Sequence, residues 1–504
     1  MDRMPPATKP RKFVSRILAA SLASSLTLAG CTVGPDYRRP AAAVPTAYRE
    51  TPPTTGDWKV AQPRPADASV DPWAVFGDAV LNDLVAEAGR ANQSIVQAEA
   101  NHRAAEALVQ LARSALFPTL GLSVGESRSR VAATTRSGAI VENAHSVALQ
   151  ASWEPDLWGS VRRSIESSDA TAQASEATLA GVRLSTQAQV AQTYLALRVN
   201  DELQDLFASS VDSYQKALAL SQSQFRAGTV SRSDVALATA QLKSTQSLLT
   251  DVAATRAIYE HAIAVLLGKP PADFSLPKAP TKATLPSIPV GLPSELLERR
   301  PDISVAERQA ASANAQIGVA KAAYFPQLTL GASGGDSLAS FGSYFTAPGR
   351  VWSLGATLAQ TLFDGGARKA RTDQAVANYD AAVALYRQTV LAGFQEVEDN
   401  LATLRVLQDE QGTDDDAVTA SREAERIALS QYRAGTTTYL SVITAQNASL
   451  TNARTAVQLR GRRYAASVTL IRAIGGGWDT TRLDPPIASA TTNNAATADG
   501  TGTR

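Results

Sequence analysis

The residues able to do covalent, acid–base or metal chemistry are few in this 504-residue chain, and they are scattered. There is one cysteine, Cys31, and three histidines, His102, His145 and His261, no two of which lie within 40 residues of each other. A single cysteine excludes a disulfide framework and every cysteine-rich zinc or iron–sulfur site. Any histidine-based site has to be assembled from distant parts. Two carboxylate groupings remain. The run Asp414-Asp415-Asp416 has the charge to hold a cation, but on a long exposed helix it reads as a solvated face. Glu298-Arg299-Arg300 with Asp302 reads as structural, since Asp302 stands near a helix start, where a carboxylate is favoured. With 48 Lys+Arg against 47 Asp+Glu, no basic surface is available for nucleic acid. The expectation is a chain with no catalytic residues, no metal site and no cofactor.

The cysteine has a different chemistry in view. Arg3, Lys9, Arg11, Lys12 and Arg16 stand against the single acid Asp2, and an apolar stretch extends from Ile17 to Ala29. This is the layout of a secretory signal peptide over residues 1–30. A permanent membrane anchor is the alternative, but the 13 residues Ile17–Ala29 make only ~20 Å of helix, short of the ~30 Å hydrocarbon core. Leu28-Ala29-Gly30-Cys31 looks like a bacterial lipobox. It predicts cleavage before Cys31 and a covalent lipid there, N-acyl (palmitate) and S-diacylglycerol; a free exported thiol is the alternative. Residue 32 is Thr rather than Asp, resembling lipoproteins sorted to the outer membrane. Removing residues 1–30 takes five basic groups and one acid, so a formal charge of +1 becomes −3. Met1 and Met4 leave too, so the mature chain has no methionine and no free thiol as soft metal ligands.

The elements that position these residues are announced by an internal repeat. Phe117-Pro118 recurs as Phe325-Pro326, offset 208. Phe225-Arg226-Ala227-Gly228-Thr229 recurs as Tyr432-Arg433-Ala434-Gly435-Thr436, and Leu267-Gly268 as Ile474-Gly475, both at offset 207. Trp158-Gly159 falls opposite Asp364-Gly365 at 206. Four anchors in one order mean a tandem duplication. The expected organisation is a lipidated extended tether over 31–77, repeat 1 over 78–269, a Pro-rich linker over 270–293, repeat 2 over 294–477 and a disordered tail over 478–504.

Proline placement shows the secondary structure. None of the 25 prolines lies between Asp156 and Lys269 or between Gly349 and Asp484, windows of 114 and 136 residues rich in helix formers. Each repeat is expected to hold one very long helix, 160–226 or 367–433, ended by the Arg-Ala-Gly-Thr turn with glycine as the left-handed cap. A second helix then returns, 232–267 or 438–474, making hairpins over 160–267 and 367–474. A shorter helix, 94–116 or 302–324, precedes each Phe-Pro. A helix of 67 residues is ~100 Å long. Charges such as Arg162, Arg163, Glu166 and Asp169 keep it in water rather than lipid.

Four segments instead alternate with period two: Leu120–Gly125, Val147–Trp153, Gln327–Ser333 and Trp352–Leu362. They place β-hairpins over 119–154 and 327–363. One face apolar and one polar fits a half-exposed soluble hairpin or a transmembrane β-barrel strand. Trp153, Trp158 and Trp352, with Phe341, Tyr344 and Phe345 in the second loop, tip the choice towards a membrane as an aromatic girdle. Four strands cannot close a barrel, for which about eight are needed, so the pattern asks for an oligomer.

Taken together, these residues resemble the TolC/OprM outer-membrane efflux channels, in the NodT-type lipoprotein branch. The resemblance rests on Leu28-Ala29-Gly30-Cys31 with Thr32-Val33-Gly34-Pro35-Asp36-Tyr37, on Trp73–Asp78, on Glu298–Ile303, on Ala320–Pro326 and on the two Arg-Ala-Gly turns. It implies an α+β membrane protein: a homotrimer sharing a 12-stranded transmembrane barrel, four strands per protomer, continued by a long α-helical periplasmic barrel. It implies a passive duct in the outer membrane, lipid-anchored and membrane-spanning. The duct docks a periplasmic adaptor (membrane fusion protein) and an inner-membrane pump of the proton-driven RND type by its hairpin tips. The tips match Arg226, Gly228 and Thr229, and Arg433, Gly435 and Thr436. Leu440 matches a constricting leucine. Acidic residues that the family often carries match Ser441 or Thr444, and an arginine matches Asn447, so the acidic ring is missing. Asp234 and Tyr432 match a pair that hydrogen-bonds between neighbouring hairpins and holds the tube shut.

Two rival readings share part of this pattern. The same channel can serve a type I protein-secretion system, a difference that lies in the partner, and the lipobox leans towards small-molecule efflux. A periplasmic coiled-coil scaffold or adaptor lipoprotein shares the long helices but does not call for four amphipathic strands in two matching pairs.

Overall fold

In a computed structural model, residues 32–50, 72–132, 140–286, 296–338 and 349–478 are described. The signal peptide, Cys31, Phe341, Tyr344, Phe345 and the tail from residue 479 lie outside them. Repeat 1 contributes α1 (Ala79–Ala91), α2 (Gln93–Ser114), β1 (Thr119–Val131), β2 (Ile140–Trp153), α3 (Ser160–Arg226) and α4 (Arg232–Leu266). Repeat 2 contributes α5 (Pro301–Ala322), β3 (Gln327–Leu338), β4 (Arg350–Ala359), α6 (Ala367–Arg433) and α7 (Tyr439–Ala473). The duplication is metrical: α2 and α5 have 22 residues each, α3 and α6 have 67, and α4 and α7 have 35.

Local chemistry sets the ends of these elements. Asp78 caps α1 by accepting from the Val80 and Leu81 amides at 3.0 and 3.4 Å. Asn92 breaks α1 from α2 and accepts from Ser94 and Ile95. Both short helices stop two residues earlier than the Phe-Pro spacing predicts. After α2 the chain tightens into three-residue bonds, Leu116 N to Arg113 O and Phe117 N to Ser114 O, because Pro118 pushes its predecessor out of the helical region. Three strands differ in the opposite sense, running past their alternating segments, while β4 ends short of its own. β1 and β2 run beyond the alternating segments, since Glu126, Arg128 and Arg130 continue the strand after its apolar face has ended. β4 stops at Ala359, where Gln360 breaks that face.

Two compact units are present. The first holds the described residues up to Pro40, Arg103–Ala174 and Ala306–Leu385, and with them an antiparallel sheet in the order β1-β2-β3-β4. Each β-hairpin is a repeat's own, and β2 pairs β3 across the duplication, Leu149 opposite Gly334 and Trp153 opposite Leu330. At the foot of the sheet Trp158 stacks on Phe325 at 4.8 Å and donates to the Pro326 carbonyl at 2.7 Å. The Phe-Pro of one repeat thus seats the Trp-Gly of the other.

The second unit holds Ala41–His102, Ser175–Val305 and the described residues from Tyr386 onward. Its core includes Trp73, Phe76, Leu81, Tyr194 and Leu197, all fully buried. The two repeats close here by the same joint. Gly268, at φ +69°, lies against the Ala91 carbonyl, and Gly475, at φ +91°, against the Arg299 carbonyl. A Cβ at either would strike backbone. Asn92 donates to Leu266 O at 2.8 Å in repeat 1, while Arg300 donates to Ala473 O at 2.9 Å in repeat 2. Arg300 also pairs with Asp302 and Glu396 at 2.7 and 2.9 Å, which gives the Glu298–Ile303 motif a structural task.

Candidate functional site

The two helical hairpins end in turns built from the same bonds. In the first, Gly228 N donates to Phe225 O at 2.9 Å and Thr229 N to Gln224 O at 3.0 Å. In the second, Gly435 N donates to Tyr432 O at 3.1 Å and Thr436 N to Gln431 O at 3.0 Å. Each is a six-to-one C-cap with a left-handed glycine, φ +74° at Gly228 and +72° at Gly435. Each threonine hydroxyl, Thr229 and Thr436, donates to the same carbonyl as its own amide, at 3.0 Å. The hydroxyls therefore add a second bond to a carbonyl that the backbone amide already holds. Outward, the turns present Arg226, Arg433 and the glycine backbone, all exposed, and a Cβ added at Gly228 or Gly435 would meet nothing within 4 Å.

The turns differ at the start of the returning helix. Ser231 and Asp234 form a capping box at the start of α4: Asp234 N donates to Ser231 Oγ at 3.2 Å, and Ser231 N to Asp234 Oδ2 at 3.1 Å. At the matching place in repeat 2, Thr438 caps α7 without a side-chain bond, and Ser441 stands where Asp234 stands. The missing acid at Ser441 thus leaves the second turn less firmly closed, quite apart from any ring of charge.

Within one protomer Asp234 and Tyr432 do not bond to each other. The Asp234 carboxylate is occupied by the capping box, and the Tyr432 hydroxyl lies 2.9 Å from Ser221 Oγ. Tyr432 is buried in an edge-to-face contact with Tyr439 at 5.2 Å, inside a cluster with Ala217, Ala238 and Val442. Ser221 is the member that sequence reading missed, because a serine inside a long helix gives no local signal. Its neighbourhood is buried and short of partners: the Tyr439 hydroxyl and the Gln446 and Gln224 side-chain carbonyls have no hydrogen-bond partner among the described residues.

Leu440, next to fully buried Tyr439, is 60 % exposed, an apolar side chain in the open. Ser441, Thr444 and Asn447 share the exposed side of α7 with it. Thr444 donates back to Leu440 O at 2.9 Å, and Asn447 accepts from Gln241 at 2.9 Å. This side of α7 is uncharged from Leu440 to Thr451.

Burial pushes Tyr214 and Tyr439 up to about 12 from an ordinary 10.0. The folded chain holds the neutral phenols, and the unfolded chain ionises first as pH rises. Stability contributed this way is present below pH 10 and lost as pH climbs towards about 12. A thermal scan monitored by helical circular dichroism is expected to show the melting temperature falling as pH rises from 10 towards about 12. Tyr439→Phe is expected to lessen that fall, with Tyr214 supplying what remains, and to cost nothing at pH 7, since its hydroxyl has no partner to lose.

The sheet carries a second functional surface. On one face stand Leu120, Leu122, Val124, Leu149, Trp352, Leu354 and Leu358, half or more exposed. On the other stand Gly121, Ser123, Gln150, Ser152, Thr329, Gly331, Ser333, Ser353, Gly355 and Thr357, in register across all four strands. The first face is fit for hydrocarbon. The second is small, hydrophilic and uncharged over this span.

Sequence reading also passed over the charges that tie down the linker. Asp201, 1 % exposed, binds Arg198 at 3.0 Å and Arg256 at 2.8 Å. Those guanidinium groups donate to the Pro277 and Leu276 carbonyls, and Glu260 receives Arg256 and the Leu276 amide. The four charges come from positions 198, 201, 256 and 260, and only the α3–α4 pairing brings them together. Among the described residues no cluster of three or more His, Cys, Asp or Glu is placed to hold a metal, and no helix is long and apolar enough to cross a membrane.

Comparison with known proteins fits this geometry. A family model described as outer membrane efflux protein matches residues 84–269 and 292–476, one match per repeat. The chain is 32 % identical to outer membrane protein OprJ of Pseudomonas aeruginosa, over 94 % of this chain and 97 % of that one. It is 30 % identical to the toluene efflux pump outer membrane protein TtgF of Pseudomonas putida, over 93 % and 98 %. Among solved structures it is similar to the outer-membrane channel OprN, with a TM-score of 0.82 at 30 % identity, covering 89 % of this chain and all of that one.

Proposed function

This chain belongs to the outer membrane efflux protein family, and from that premise we propose how it works. It is an outer-membrane channel component of an efflux system, and its relatives are channel proteins rather than enzymes. Three copies close one barrel. β1 and β4 each have a partner on one side only among the described residues. Pairing β4 of one copy with β1 of the next repeats the β2–β3 joint between repeats, a head-to-tail contact that a rotation can close. Twelve strands result, and no sheet edge is left in the membrane.

The observation that carries the reading is the pair of sheet faces. A wall with leucine and tryptophan outside and glycine, serine and threonine inside makes a wide aqueous bore that asks no charge of its cargo. Small drug-like and toxic molecules are the cargo that suits it, with selection left to the pump. The hairpin tips are the docking end for a periplasmic adaptor, and behind the adaptor stands a proton-driven inner-membrane pump. Leu440 is the gate: an apolar ring of three would hold the aperture dry without an acidic ring. Cys31 carries the lipid.

The test is in-cell photo-crosslinking from Thr229 and Thr436, with mass spectrometry of the adducts. Replacing either threonine leaves the backbone amide bond to the same carbonyl, so the turn survives. Adducts with an adaptor of a proton-driven pump are expected. An adaptor of an ATP-driven secretion exporter would move the chain to protein export. Self-crosslinks alone would overturn the tip assignment.

A further inference from the structure

The Thr32–Tyr37 motif has a built seat in the first unit, and the proposed function makes no use of it. Val33 N donates to Trp158 O at 3.1 Å. Arg163, whose side chain is 6 % exposed, pairs with Asp36 at 2.9 Å and Glu166 at 2.7 Å and donates to the Val33 and Gly34 carbonyls. Asn314 donates to Pro35 O at 3.0 Å. Tyr37 donates to Glu307 Oε1 at 2.6 Å beneath the Arg308 guanidinium. Two glycines let the backbones touch. A Cβ on Gly34 would lie 2.5 Å from Gly318 Cα, and one on Gly318 would strike Val33 O and the Arg163 side chain. Six consecutive residues so held are not a loose leash.

The seat also has an address. Thr32 packs on Gly159, one residue from Trp158. Trp153, Phe117, Tyr324 and Phe325, all more than a third exposed, surround the same strand–helix corner. Aromatic side chains at strand ends mark the level of a membrane interface. Thr32, seated at that level, is the residue next to Cys31 in the chain, and successive Cα atoms are about 3.8 Å apart.

We propose that the seat around Arg163 is a lipid-positioning device: it fixes the tether at the strand–helix corner, so that acyl chains on Cys31 enter the leaflet against the barrel wall. Arg163 is a positioning residue for the modified cysteine. The inference rests on the lipid reading of Cys31 and goes beyond it. A flexible linker would let the same lipid insert anywhere within its reach.

The experiment feeds cells expressing the full chain a palmitate analogue carrying a diazirine and an alkyne. Irradiation precedes capture and peptide mass spectrometry. Label on Cys31 is expected, with photo-adducts on peptides spanning 153–163 and 324–327. Arg163→Ala and Gly318→Ala are expected to keep the Cys31 label and lower the adduct-to-label ratio at least fivefold. Arg163→Lys is expected to fall between, because an ammonium cannot span the same set of acceptors. Asp36→Ala guards against misfolding: its side chain is 90 % exposed, and its loss leaves no cavity. It is expected to lower the ratio about twofold. An unchanged ratio in Arg163→Ala and Gly318→Ala overturns the proposal. Label without corner adducts in the unaltered chain overturns it as well. No label on Cys31 refutes the lipid reading, and the inference falls with it.

Discussion

Asp201→Ala is expected to be the most damaging single change to the fold. It leaves two guanidinium groups, Arg198 and Arg256, without the carboxylate between them, and the Arg198 side chain is only 4 % exposed. Removing one partner of a buried ion pair costs about 3–5 kcal/mol, because the remaining charge is uncompensated. Arg198 keeps the Pro277 carbonyl and the Tyr194 ring, 4.9 Å away, and Arg256 keeps Glu260, so the lower end of that range applies. The measurement is the melting temperature of the purified protein. Asp205→Ala is the control: it breaks only the Lys278 pair, where the carboxylate is 69 % exposed. Such a surface pair contributes about 0–1 kcal/mol. A shift for Asp201→Ala no larger than the control's would show that the linker clamp contributes little.

Gly435→Trp, alone or with Gly228→Trp, is expected to abolish export while sparing the fold. Each glycine is at positive φ, where an L residue costs about 1–2 kcal/mol, but a side chain there enters open space. The turn bonds come from backbone amides and survive. If an adaptor packs against these turns, an indole stands between the two surfaces. Drug susceptibility should rise to that of a strain lacking the channel, while oligomer migration and melting change little. Gly412→Ala gives the contrast. It sits mid-helix in α6 with nothing within 4 Å, and alanine there adds up to about 1 kcal/mol of helix propensity with no effect on export. Normal export from Gly435→Trp would place the docking surface elsewhere.

The sequence by itself determined the repeat, the helices and the faces of the strands, because these are local. Proline-free windows and Arg-Ala-Gly-Thr turns delimit α3 and α6 at the bounds found in the structure, since a left-handed glycine ends a helix whatever surrounds it. Alternation within seven residues tells which side of a strand faces hydrocarbon. The missing acid at Ser441 is legible too, but the capping box that Ser231 and Asp234 make and Thr438 does not shows only in the structure.

Tertiary structure alone decided which side chains meet. Tyr432 finds Ser221 rather than Asp234 because α3 and α6 run together at that level and Asp234 is held by its own helix start. The linker clamp joins residues up to 79 apart, as Arg198 to Pro277. No spacing rule reaches that far, since such a contact depends on how two hairpin helices register. The seat of Thr32–Tyr37 joins the tether to Arg163, Glu307, Asn314 and Gly318 from both repeats. Nothing in that six-residue motif names its partners. Hydrogen bonds and close backbone approaches are decided within a few tenths of an ångström, and only the packed chain fixes distances that finely.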